Sequence, residues 1–105
     1  MILYNVTVKI LPEVAEEWEK WMKAEHIPDV LATGLFQWAR FSKLLSLDTK
    51  DGITFSIQYS CSNMKDLHLY QAQFAQKLQK DHTDKFKDKF VAFRSIMEEI
   101  DFLEV

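Results

Sequence analysis

The segment ITFSIQYSC, residues 53–61, decides the fold. Ile53, Phe55, Ile57, Tyr59 and Cys61 point one way, and Thr54, Ser56, Gln58 and Ser60 point the other. That period of two belongs to an extended chain with one apolar and one polar face. Just before it, DTKDG (48–52) reads as a hairpin loop, which pairs this strand with an earlier one over residues 35–46. Just after it, Asn63 is placed to cap a helix, with Asp66 three residues on in a box-like position. Leu67, Tyr70, Phe74 and Leu78 give that helix its buried stripe. The charged run DHTDKFKDK (81–89) is expected to be a connector with room for a helical turn, anchored by Phe86. FVAFRSIMEEI (90–100) is expected to be the last strand, with a helix opening at Ser95 and Glu98 as the alternative.

Toward the N-terminus, Ile2, Tyr4, Val6, Val8 and Ile10 alternate with Leu3, Asn5, Thr7 and Lys9, a second half-buried strand. Pro12 suits a first helical turn, and Glu13, Glu16 and Glu17 lie near its positive end. Val14, Trp18, Trp21 and Met22 follow helical spacing, so both tryptophans are expected in the core. In EHIPDVLATGLF (25–36), Pro28 disfavours helical backbone at Ile27, so the helix is expected to stop at His26. A short turn over 28–33 then ends at Gly34, the usual residue for a left-handed terminating position. The order is β-α-β-β-α-β over a single domain, residues 1–105. Its commonest compact solution is the α+β ferredoxin-like arrangement: a four-stranded antiparallel sheet, both helices on one face, strands one and three central.

The composition narrows the function classes. With 48% apolar residues and only 2 Gly and 2 Pro, the chain is neither disordered nor of low complexity. The net charge of −3 comes from interleaved acids and bases without a basic stripe, which argues against nucleic acid as partner. The start, MILYNVTVKI, reads as a strand and not as a signal peptide, and no run approaches a membrane span, so no membrane partner is expected. The single cysteine, Cys61, cannot form an intramolecular disulfide, and a reducing, cytoplasmic location is expected. On the buried face of its strand it is an inert thiol.

The edge strands can be oriented by their charges. An unpaired arginine under the helices costs several kcal/mol, so Arg40 is expected to face away from them, with Phe36, Trp38 and Leu44. By the same rule Arg94 faces away with Ala92 and Ile96, leaving Ala39, Phe41, Val91, Phe93 and Met97 for the core. The outer face then has a polar middle of Asn5, Thr7, Ser56, Gln58 and Ser60 between apolar sides. Such a patch calls for a cover. A second copy packed sheet to sheet supplies one, so a homodimer is expected.

YNVTV (4–8), WEKWMKAEHIPDVLATGLF (18–36) and FVAFRSIMEE (90–99) carry a resemblance. On these segments the chain resembles a small bacterial family of unknown function within the dimeric α/β-barrel superfamily. Antibiotic-biosynthesis monooxygenases and EthD-like proteins of that superfamily are similar in having a His-x-Pro break before a Gly-Phe-like strand start. The resemblance implies a ferredoxin-like subunit and sheet-to-sheet dimers, and it implies no particular reaction.

Candidate site residues follow. His26 lies where similar folds place a residue at a cavity mouth; an imidazole there can act as acid or base near neutral pH. The plainer role is to cap the last carbonyls of the preceding helix. Arg40 and Arg94 can each hold a carboxylate or phosphate through two parallel hydrogen bonds, or form ion pairs across an interface. Trp38 with Asn5, Thr7, Ser56 and Gln58 has the make-up of a small-ligand pocket, or of a wet interface. Asn5 and His82 loosely resemble the pair in haem-degrading relatives, but no Trp lies in residues 63–80 to complete that pattern. Otherwise no cofactor is expected. His68 is read as solvated, and the histidines and Cys61 lack zinc-ligand spacing. The leading expectation is a homodimeric module binding a small organic ligand, anions among the candidates, between sheet and helices or between sheets. The alternative is a cofactor-free monooxygenase- or isomerase-type enzyme, and a third is an interaction protein.

Overall fold

A computed structural model describes residues 1–105. The strands are β1 (Ile2–Ile10), β2 (Trp38–Lys43), β3 (Ile53–Cys61) and β4 (Phe90–Glu98). They form one antiparallel sheet in the order β2-β3-β1-β4, with β1 and β3 central as their alternation requires. The helices are α1 (Pro12–Trp21), α2 (Ile27–Leu31), α3 (Met64–Gln73) and α4 (Ala75–Lys85). Their apolar stripes, including Trp18, Val30, Leu67, Tyr70 and Phe86, meet Ile2, Tyr4, Val8, Ile10, Phe55, Ile57 and Tyr59 in one core. Each such side chain stabilises the fold by roughly 1.5–3 kcal/mol before entropy is counted.

The helix expected to stop at His26 does not stop. Met22–His26 form a π-helical turn joining α1 to α2, and Ile27 keeps helical backbone at φ −62°, ψ −45°. The Ile27 N–H donates to the Met22 carbonyl, one residue farther back than in an α-helix. A proline ring collides with the carbonyl four residues before it in an ordinary helix. The widened turn ahead of Pro28 relieves that collision, so the chain bulges instead of breaking. Gly34 does take the left-handed conformation, at φ 80°.

The second helical segment also differs. It is offset at Phe74 (φ −125°, ψ −35°), and helix continues to Lys85, through half of the expected connector. Ala75, Leu78, His82 and Phe86 are buried along one stripe. The charges fall on the other side, where Lys77–Asp81 and Lys80–Asp84 pair one turn apart. Asn63 caps α3 as expected, its Oδ1 accepting the Asp66 N–H at 2.9 Å.

Register corrects the edge strands. Val6 stands between Ile57 and Arg94, and Val8 between Phe55 and Ala92, so Arg94, Ala92 and Ile96 share the helix-side face with the core. Val91, Phe93 and Met97, expected in the core, lie on the outer face, where Val91 is 67% and Phe93 63% exposed. At an outer strand a long arginine reaches water from either face, and Arg94 is exposed; the burial penalty that would have turned it outward never arises. On β2 the expected direction holds: Arg40 pairs with Gln58, which pairs with Asn5, all on the outer face. Phe36 does not follow Trp38 outward. β2 begins only at Trp38, so alternation does not reach back to Phe36, which is buried against Tyr4, Tyr59 and Tyr70.

Candidate functional site

The face of the sheet under the helices holds a cavity of about 40 Å³, partly open to solvent. That is room for about three water-sized groups. β1 and β3 supply Tyr4, Val6, Ile57 and Tyr59; β4 supplies Phe90 and Arg94; the helices supply His26, Tyr70, Gln79 and His82. The π-helical turn ends on His26, and such turns recur at functional sites. The His26 ring stacks on Trp21, centroids 5.2 Å apart, and meets the His82 ring edge-on at 5.6 Å.

His82 enters from α4 on the stripe Leu78–His82–Phe86. Its Nε2 accepts a hydrogen bond from the Trp18 indole N–H at 2.8 Å. Burial, then the nearby His26 and Arg94, push its pKa down to about 4. Burial also holds His26 below the ordinary histidine value; Asp29 and Asp81 oppose that and Arg94 adds to it. Both rings are therefore neutral at pH 7. Burial raises the Tyr59 and Tyr70 hydroxyls, so these stay protonated. No fully occluded side-chain nitrogen or oxygen lacks a hydrogen-bond partner. The hydroxyls of Tyr4, Tyr59 and Tyr70 and the Nδ1 of His82 make no hydrogen bond within the protein, so each keeps some open surface, and all four residues line the cavity. One fixed positive charge, two uncharged imidazoles and three hydroxyls can bind an anionic oxygen and hold or move a proton beside it.

The candidate residues thus divide between two faces. His26 and Arg94 come together under the helices. Asn5, Trp38, Arg40 and Gln58 lie on the outer face. There Asn5 is held by Ser56, whose hydroxyl donates to its Oδ1 at 2.7 Å, while its amide donates to Thr7 at 3.1 Å. The Arg40 guanidinium lies 5.0 Å from the Trp38 ring centre. Asn5 and His82, read together toward haem, sit on opposite sides of the sheet. The His82 Nε2 lone pair already accepts from Trp18, which leaves the ring's proton on Nδ1 and no lone pair for an iron, and the cavity is far smaller than a porphyrin; these residues do not fit that group. No three His, Cys, Asp or Glu side chains converge as metal ligands. The sequence reading took Tyr4, Tyr59 and Tyr70 as core alone and missed their shared cavity. For His82 the signal was present: it falls four residues from both Leu78 and Phe86, on an apolar stripe.

Sheet order, register and helix placement define a ferredoxin-like α+β subunit. The same fold is found in a dimeric ferredoxin-like protein from an uncultured marine organism (TM-score 0.65, 12% identity, all of both chains covered). It is found again in a candidate antibiotic biosynthesis monooxygenase from Deinococcus radiodurans (TM-score 0.69, 16% identity, 100% of this chain and 98% of that one). A hydroxynitrile lyase from Passiflora edulis is a third (TM-score 0.61, 14% identity, 95% and 96% covered). At these identities the likeness is one of fold. The chain belongs to the family described as domain of unknown function DUF4286, whose model matches residues 1–100. No curated protein matches it in sequence. None of its helices is long and apolar enough to cross a membrane.

Proposed function

We propose that the protein is a homodimeric module that binds a small organic carboxylate in the cavity between sheet and helices. The observation that carries this reading is the convergence of Arg94, His26, His82 and three tyrosines on one small cavity. An apolar site with a few convergent polar groups is the usual form of a small-ligand pocket. Its enclosed part takes a head of about three heavy atoms; anything larger extends past Arg94 toward solvent. The outer face serves dimerisation. Trp38 on one side and Val91, Phe93 and Met97 on the other flank a polar middle, too large an apolar area to leave in water, and two fold neighbours are themselves described as dimeric. Asn5, Arg40 and Gln58 belong to that interface in this reading. A buried free thiol at Cys61 is compatible with a cytoplasmic setting.

The test is a thermal-shift series with acetate, glycolate, benzoate and inorganic phosphate, against sodium chloride at equal ionic strength. A ligand at about 100 times its Kd adds about 2.7 kcal/mol of stability, which moves the midpoint by about 10 °C or more in a domain of this size. A shift with the small carboxylates, absent in Arg94→Ala, is expected. No shift beyond the chloride control removes the reading.

A cofactor-free enzyme of the isomerase or monooxygenase type is the second reading, favoured by a neutral His26 at the cavity. It expects accelerated exchange of carbon-bound protons of a small 2-keto acid in D2O, followed by NMR and lost in His26→Ala. Exchange at the buffer rate leaves binding alone.

A further inference from the structure

Trp18 is wholly buried, yet its indole N–H is not left without a partner: it donates to His82 Nε2 across the core, from α1 to α4. An indole nitrogen can only donate. His82 Nε2 must therefore keep its lone pair, and the single proton of the neutral ring sits on Nδ1. That Nδ1 has no hydrogen-bond partner in the protein and is not fully occluded, and His82 lines the cavity. Arg94, also on the cavity, is a donor that cannot accept. The hydroxyls of Tyr4, Tyr59 and Tyr70 adapt to either role. Two obligatory donors thus face one small space.

We propose that Trp18 is a positioning residue that locks His82 as an Nδ1–H donor, so that the cavity selects a ligand oxygen able to accept from His82 and Arg94 together, a carboxylate oxygen. This deepens the carboxylate reading above and rests on it. Selection follows from what an unmatched ligand leaves behind. An amine or a second donor at that point meets N–H groups that cannot turn around, whereas a carboxylate accepts from both with its two oxygens. Without the indole, nothing in the core fixes which ring nitrogen carries the proton, and the donor at the cavity is present only part of the time.

The test starts on the unaltered protein with long-range ¹H–¹⁵N NMR of the histidine rings at pH 7. The expected spectrum has His82 protonated at Nδ1 and bare at Nε2, with the Nδ1 resonance moving on addition of glycolate. Calorimetric titration of glycolate then compares wild type, Trp18→Phe and His82→Gln. The glutamine carbonyl can replace Nε2 as acceptor for Trp18 but removes the Nδ1 donor. Both variants are expected to bind about tenfold more weakly or worse, and Trp18→Phe to show a mixture of His82 tautomers. Protonation at Nε2, a charged ring at pH 7, or His82→Gln binding within about twofold of wild type overturns the proposal. A Trp18→Phe protein that does not fold leaves the decision to the wild-type spectrum and to His82→Gln. Glycolate binding that needs Arg94 but ignores His82 and Trp18 removes this inference alone. Failure of wild type to bind any of the carboxylates removes the carboxylate reading and this inference together.

Discussion

Acid should weaken this fold through His82 in a way that a single substitution can isolate. In the native state the ring is buried beside His26 and Arg94, and its pKa falls from 6.5 to about 4. The native protein therefore binds this proton less readily than the unfolded chain. The stability gained from keeping His82 neutral is whole above pH 6.5 and drains away as pH falls toward 4. Each tenfold loss of proton affinity is worth about 1.4 kcal/mol, so the whole effect is about 3 kcal/mol. Solvent reaching the ring through the open side of the cavity makes that a ceiling. Protonation also turns Nε2 into a donor facing the Trp18 N–H, so the 2.8 Å hydrogen bond is lost in the same step. Carboxylates titrate over the same range, which is why wild type alone is not informative. His82→Gln keeps an acceptor for Trp18 and cannot titrate. Urea unfolding at pH 7, 6, 5 and 4, read by tryptophan fluorescence, should show wild type losing up to about 3 kcal/mol more than the variant between the extremes. Parallel losses in the two proteins, or a wild type that gains on the variant as pH falls, would refute the reasoning.

Other substitutions probe the packing. Phe36→Ala should cost about 3–5 kcal/mol in urea unfolding, because Phe36 is packed against three tyrosines; a cost below about 0.5 kcal/mol would return it to the surface. Asn63→Ala should cost about 1 kcal/mol by removing the α3 cap, measured the same way. Phe93→Asp, at a side chain 63% exposed in the subunit, should leave folding intact by circular dichroism and abolish the dimer in sedimentation equilibrium. A dimer as tight as wild type would move the interface off the outer face.

The central strands were legible because each carries one apolar phase and one polar phase: Ile53 to Cys61 and Ile2 to Ile10 admit a single orientation. β4 does not. Phe90, Ala92 and Ile96 on one phase are as apolar as Val91, Phe93 and Met97 on the other, so its direction rested on Arg94 alone. That inference presumed that the helices bury the whole inner face of this edge strand, and Arg94 stands exposed at the open edge. The same error divided the expected site, since turning β4 over takes Arg94 from the company of Arg40 and brings it to His26. The His-x-Pro signal was real but marked a π-helical turn and not a stop, because backbone hydrogen bonding can shift by one residue where a proline ring needs room. The cavity was illegible for a different reason. Tyrosines at core positions look the same in sequence whether their hydroxyls are capped or open to a void, and only the packing of the helices over the sheet distinguishes the two.

The measurement that bears most directly on the account is calorimetric titration of glycolate into Arg94→Ala and Arg40→Ala side by side. A site under the helices predicts heat of binding kept in Arg40→Ala and lost in Arg94→Ala. Binding lost in Arg40→Ala and kept in Arg94→Ala would put the ligand between the sheets and contradict it.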